Sequence, residues 1–267
     1  EIRQIGRDQP SARRKRRFVQ SPKEQIMFDN ISTNRETRYG MPAADQVVVN
    51  RFYTLGYSYY FRQAKWALEI VDPDRSMDVE RFDNFRPDLR VPERFRADLA
   101  DYEGSGFDRG HLVASANQAE FEIQNSETFL LSNMSPQAPK FNRGIWKNLE
   151  EAIRRLDAQK SVLETYVICG PVFNFDIPIL TILPKGDKGV TLPIPHAFFK
   201  SVLTEDNRGR LHMWSFMIPN EETTQPLETF LVTTSKVERY SGFVLWQRLV
   251  GKEIDKEKGN VRPMWKV

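Results

Sequence analysis

The chain has 267 residues, 40% hydrophobic and 28% charged, with a net charge of +3. That length suits one large domain or two small ones. No apolar run approaches the roughly 18 residues of a membrane-spanning helix, so no membrane partner is expected. The single Cys excludes an internal disulfide and a zinc site built on thiolates.

Charge is unevenly spread. Residues 1–40 hold ten Lys/Arg against five Asp/Glu, and the other 227 hold 29 against 31. Residues 1–35 read as a basic, flexible N-terminal arm or linker around Arg13-Arg14-Lys15-Arg16-Arg17. The same run would serve as a nucleic-acid arm or a sorting signal. The chain starts at Glu1 rather than Met, which leaves open a preceding segment and the compartment. Residues 36–267 read as a single domain, since no repeat or low-complexity block interrupts them. Their net charge is slightly negative, so any nucleic acid must meet a local cationic cluster.

Gln46–Arg51, Phe52–Phe61 and Lys65–Val71 are rich in Val, Tyr, Phe and Trp and predict consecutive strands, the last two a hairpin. Asp72–Leu99 is charged and proline-marked, an irregular excursion anchored by Phe82, Phe85 and Phe95. Thr128–Asn133 predicts a short strand, and Met134–Phe141 a polar, proline-bearing loop. A helix begins near Asn142, with Trp146, Leu149, Ile153 and Leu156 spaced 3, 4 and 3 along one face. Thr165–Phe173 has the form of a buried strand. Ala197–Leu203 and Leu211–Pro219 flank a polar turn and predict a second hairpin, followed by a short strand at Phe230–Thr233. Val237–Leu249 predicts a helix that packs Tyr240, Phe243 and Trp246 inward. His196 and His212, in strand regions, and Cys169, in an apolar run, read as structural.

The residues with chemistry gather between Gly104 and Glu150. Asp108-Arg109-Gly110-His111 sets a carboxylate, a guanidinium and an imidazole around a glycine. A histidine can take a proton from water near neutral pH, a neighbouring Asp can orient it, and Arg109 can hold a phosphate oxygen bidentately. Read alone, the tetrapeptide is equally a structural histidine beside an ion pair. Asn142 falls in the middle of the apolar helix face, where an amide needs partners. It is either a helix N-cap or an oxygen ligand for a hard cation. Glu150, two turns on at the edge of that face, is either a solvated glutamate or a carboxylate reaching the same cation through water. One amide and one carboxylate suit magnesium, which keeps most of its water shell. They do not suit zinc. Lys140, Arg143 and Lys147 form a local basic cluster beside Asn142.

Together these residues resemble the DNA/RNA non-specific endonucleases of the ββα-metal, or His-Me finger, class. Asp108-Arg109-Gly110-His111 matches that family's signature. Ser132-Asn133, Pro136-Gln137, Asn142, Trp146 and Leu149-Glu150 match its second half, and Asn84-Phe85-Arg86, Cys169-Gly170-Pro171 and Pro195–Lys200 match more loosely. The resemblance implies an α+β fold, with a mixed or antiparallel central sheet and flanking helices carrying the ββα-metal motif. It implies DNA and RNA as substrates, Mg²⁺ as cofactor with Mn²⁺ as a substitute, and a homodimer as one assembly. It gives His111 the general-base role, Asn142 the direct metal contact and Glu150 a contact through water. Arg109 and Arg86 would meet phosphate, and Asn133 would order the site. The alternative is a nucleic-acid-binding module without chemistry.

Overall fold

This computed structural model describes residues 34–71, 79–184 and 189–266. The basic arm expected over 1–35 lies almost wholly outside them, as does the start of the 72–99 excursion. In chain order the strands begin with Gln46–Val49 (β1), Tyr53–Ser58 (β2) and Gln63–Val71 (β3). Asp108–His111 (β4) and Met134–Gln137 (β5) form a separate two-stranded ribbon. Val162–Val172 (β6) returns to the main sheet, and Thr181–Ile182 (β7) with Leu192–Pro193 (β8) forms a second ribbon. Ala197–Asp206 (β9), Leu211–Pro219 (β10) and Leu231–Val232 (β11) complete the seven-stranded sheet, ordered β1-β2-β3-β6-β9-β10-β11. Every pairing in that sheet is antiparallel. Helices occupy Leu99–Tyr102 (α1), Glu122–Thr128 (α2), Lys147–Asp157 (α3), Thr234–Ser241 (α4) and Lys252–Lys258 (α5).

The sheet is buried on both faces, and strand alternation sorts its residues between two cores. Ala67, Val71, Val167, Cys169, Phe198 and Val202 face one core, together with Leu149, Ile153 and Leu156 of α3. Trp66, Leu68, Ile70, Tyr166, Ile168, Phe199 and Leu203 face the other, with Val237 of α4 and Trp246. Each such fully buried side chain contributes about 1.5–3 kcal/mol, which is why strands here read as near-continuous apolar runs rather than alternating ones.

The expected hairpins β2–β3 and β9–β10 are both present. Three expectations fail locally. The strand expected at Thr128–Asn133 is instead the end of α2 followed by a 3₁₀ turn at Leu131–Asn133, and the pairing segment is β5, in the stretch read as a loop. Pro136 is admitted there because a two-stranded ribbon leaves each strand one unpaired edge. The helix expected from Asn142 is broken. A turn at Pro139–Phe141 leads into a π-helical segment, Asn142–Trp146, whose Gly144 is non-helical (φ −106°, ψ −108°), and regular helix begins only at Lys147. The helix expected over Val237–Leu249 stops at Ser241, because Gly242 takes the left-handed conformation (φ 74°) that favours glycine at a helix end. Tyr240 is therefore half exposed, while Trp246 reaches the core from irregular chain.

Candidate active site

The β4–β5 ribbon and α3 carry the site. Register places His111 opposite Met134 and Asp108 opposite Gln137. Gly110 is dictated by close approach: a Cβ there would lie 2.1 Å from the buried Gln137 side chain. Asn133 is fully buried behind the ribbon. Its Oδ1 accepts from Val113 N at 3.0 Å, and its Nδ2 donates to the carbonyls of Val113 and Thr128 at 3.0 and 2.9 Å. Its own carbonyl accepts from Leu112 N at 3.0 Å. Asn133 therefore fixes the backbone that follows His111. Trp146 Nε1 donates to the His111 carbonyl at 3.3 Å, and Cys169 Sγ donates to the Leu112 carbonyl at 3.1 Å.

These contacts frame a cavity of about 490 Å³ lined by Arg81, Phe85, Asp108, Arg109, His111, Ala114, Ser115, Ala116, Asn142, Arg143, Lys147, Glu150 and Arg154. The His111 ring lies edge-on to Phe129, with centroids 5.0 Å apart, and to Phe85 at 5.8 Å. Its Nε2 is buried without a hydrogen-bond partner among the described residues. Burial, with the Arg81 charge adding to it, lowers the His111 pKa to about 3. The ring is thus neutral across the physiological range. Arg109 stacks over Phe85 at 4.2 Å and Arg81 over Phe129 at 4.9 Å. Arg81 also donates to Asp83 at 2.7 Å and to Ser115 Oγ at 3.1 Å.

Asp108 orients Asn142 rather than His111. Its Oδ2 accepts from Asn142 Nδ2 at 2.9 Å, and its two oxygens also take the Arg143 guanidinium at 2.9 and 2.6 Å. With the amide nitrogen committed to Asp108, Asn142 Oδ1 carries no hydrogen bond among the described residues and is the atom free to bind a cation. Glu150 lines the same cavity. Burial raises its pKa to about 7, against the opposing pull of Lys200 and Arg154. Lys200 on β9, 1% exposed, lies 3.7 Å from Glu150 Oε1 and 4.3 Å from the Trp146 ring centre. Among the described residues, no cluster of three or more His, Cys, Asp or Glu is arranged to hold a metal. The donors on offer are one amide oxygen and one carboxylate. They fit a hard cation that retains its water, not zinc.

The structure thus brings His111, Arg109, Asn142, Arg143, Lys147 and Glu150 onto one cavity. Asn133 supports it from behind. Arg86 does not line it, since its guanidinium donates to the carbonyls of Asn84 and Ser126. Lys140 pairs with Glu222. Arg81, Arg154 and Lys200 were not singled out in the sequence. Arg154 stands one turn beyond Glu150 on the same helix face, which is a readable signal. Arg81 arrives from irregular chain and has none. His196 is structural: its Nδ1 accepts from Asn174 N at 3.0 Å, and Nε2 faces the Pro178 carbonyl at 3.2 Å.

Comparison with known proteins identifies the family. The sequence pattern of the DNA/RNA non-specific endonucleases matches residues 32–251. Mitochondrial endonuclease G of Caenorhabditis elegans is 35% identical over 243 residues, covering 83% of this chain and 75% of that protein. The human mitochondrial endonuclease G is 34% identical over 231 residues, covering 80% and 74%. A chain in the crystal structure of an EndoG/EndoGI inhibitory complex superposes with a TM-score of 0.71 at 31% identity, covering 80% of this chain and 91% of that one. The chain belongs to the DNA/RNA non-specific endonucleases and is a nuclease of the ββα-metal type.

Proposed function

We propose that this nuclease hydrolyses phosphodiester bonds of DNA and RNA with Mg²⁺, leaving 5′-phosphate and 3′-hydroxyl ends, with His111 as general base. The observation that carries this reading is the convergence of the His111 ring and a free Asn142 Oδ1 on one arginine-rich cavity. Nε2 of His111 is the buried nitrogen, so Nδ1 is the atom left to remove a proton from the attacking water. Asn142 Oδ1 would hold Mg²⁺ directly and Glu150 through water. Mn²⁺ would substitute. Once bound, the ion would offset negative charge developing on the phosphate. Asp108 keeps the Asn142 amide facing that position. Arg109, stacked on Phe85, and Arg81, stacked on Phe129, present fixed guanidinium groups to phosphate oxygens. Arg143, Lys147 and Arg154 extend the cationic wall. Contacts of this kind recognise backbone rather than sequence, which suits a non-specific enzyme.

The test is cleavage of supercoiled plasmid and of RNA, in Mg²⁺ and in EDTA, by the wild type and by His111→Ala. Cleavage that requires Mg²⁺ and drops by roughly 10²–10⁴-fold in the variant supports the assignment. Undiminished cleavage by the variant refutes His111 as the base, and cleavage in EDTA refutes the metal.

A further inference from the structure

The central sheet holds a carboxylate that the mechanism above does not use. Glu69, on β3, is 1% exposed and lies on the same face of the sheet as Ala67 and Val71, towards α3. Its Oε1 accepts from Asn117 Nδ2 at 2.9 Å and its Oε2 from Gln118 Nε2 at 3.2 Å. Gln118 Oε1 in turn accepts from Gln124 Nε2 at 2.7 Å. Asn117 Oδ1 accepts from Arg154 Nη1 at 2.8 Å, and Arg154 lines the cavity.

The direction of this chain follows from the chemistry of its ends. Both Glu69 oxygens accept, so the NH₂ group of Asn117 turns towards them. The amide oxygen then faces the other way, and a guanidinium, which only donates, meets it. One N–H of the Arg154 fork is anchored, and the rest of the fork is held at the cavity before substrate arrives. A buried carboxylate is expensive, and a well-packed apolar residue of similar volume serves a fold as well or better.

We propose that Glu69, acting through Asn117, is a positioning residue that holds the Arg154 guanidinium where a substrate phosphate oxygen binds. This rests on the nuclease reading of the cavity.

The experiment uses chemical rescue. Arg154→Ala should lose roughly 100-fold in kcat, and millimolar guanidinium should restore part of that loss, because the Asn117 oxygen remains to seat it. Arg154→Ala/Asn117→Ala should not be rescued. Glu69→Gln should lower kcat/KM in the otherwise intact enzyme and cost nothing further in the Arg154→Ala background. Equal rescue with and without Asn117 would overturn the proposal, as would an equal Glu69→Gln penalty in both backgrounds. If Glu69→Gln fails to fold by circular dichroism, the rescue pair decides alone, since it leaves the sheet untouched. A wild type that cleaves neither plasmid nor RNA with Mg²⁺ would sink both the proposal and the reading it rests on, whereas failed rescue beside an active wild type sinks only the proposal.

Discussion

The two faces of the central sheet are built from the same strands, yet they bury different chemistry. Towards α4, the buried polar groups on strands β9 and β10 are hydroxyls, and the charged pair on that side, Lys258 with Glu238, sits on the helices instead. Ser215 Oγ bonds Ser201 Oγ and Thr234 Oγ1, each at 3.0 Å, and Trp246 Nε1 donates to Ser201 Oγ at 3.1 Å. Towards α3, the sheet buries ionisable side chains, Glu69 on β3 and Lys200 on β9. Neutral hydroxyls cost little to desolvate once paired, whereas charges cost far more. The hydroxyl face is what a stable sheet needs. The charged strand positions connect to the cavity: Lys200 lies against Glu150, and Glu69 reaches Arg154 through Asn117.

Phe199 and Lys200 are neighbours in sequence on opposite faces, so they offer the sharpest way to break this contrast. Phe199→Ala should lose about 3–5 kcal/mol of stability while the folded fraction keeps its kcat. Lys200→Met should do the reverse, losing roughly 10–100-fold in activity with the smaller shift in urea midpoint. Equal losses of stability and activity in both variants would show that the faces are not specialised. Asp108→Asn comes next. It removes the charge that orients Asn142 and pairs with Arg143, and should cost roughly tenfold in activity, read most directly as weaker Mg²⁺ binding by calorimetry. On the hydroxyl face, Ser201→Ala should cost about 1 kcal/mol and leave kcat unchanged.

The pH dependence of stability gives a further test. His111 has a folded pKa of about 3 against about 6.5 unfolded. The unfolded state therefore binds more protons between those values, and the His111 contribution to stability is present above pH 6.5 and lost as pH falls towards 3. Glu150 acts oppositely. Its folded pKa of about 7 exceeds its unfolded value, so its contribution is lost as pH rises towards 7. Comparing thermal midpoints of the wild type and His111→Asn at pH 7 and pH 5 isolates the first effect. The wild type should fall more. His111 itself should contribute no acid limb to kcat/KM in the ordinary histidine range, so a limb near pH 7 would report Glu150, and Glu150→Gln should remove it.

Much of this was readable from sequence, for identifiable reasons. Long apolar strands and the Leu149–Leu156 spacing are periodic signals. Asp108–His111 with Asn142 and Glu150 is a motif whose spacing reflects a ribbon followed by a helix. The π-helical segment at Asn142–Trp146 was not readable, because a phase shift at Gly144 leaves the residue types unchanged. Asn142 still reaches the site, half-buried, but through that kink rather than from the middle of a regular apolar face. Arg86 was expected from the looser resemblance at Asn84–Arg86, and Arg81 had no signal, because irregular chain has no period by which to aim a side chain. Glu69 and Lys200 carried a signal that was passed over: a charge inside an otherwise apolar strand needs a partner.

β3 and β6 are hydrogen-bonded neighbours, with Val71 opposite Thr165, although residues 72–161 separate them in sequence. Asp108, His111, Asn142 and Glu150 all lie within that single connection. Topologically, the sheet is a meander with two insertions, the short β7–β8 ribbon between β6 and β9 and the long β3–β6 connection, and the long one carries the catalytic motif. Closing so long a connection is entropically mild, about 0.6 kcal/mol for each doubling of length. It does delay the β3–β6 contact relative to the local hairpins. Pulsed hydrogen exchange during refolding should accordingly protect β2–β3 and β9–β10 before β4–β5. Catalytic competence would then appear last, when two halves of a meander meet and bring Glu69 from one and Lys200 from the other beneath an excursion that neither half could support alone.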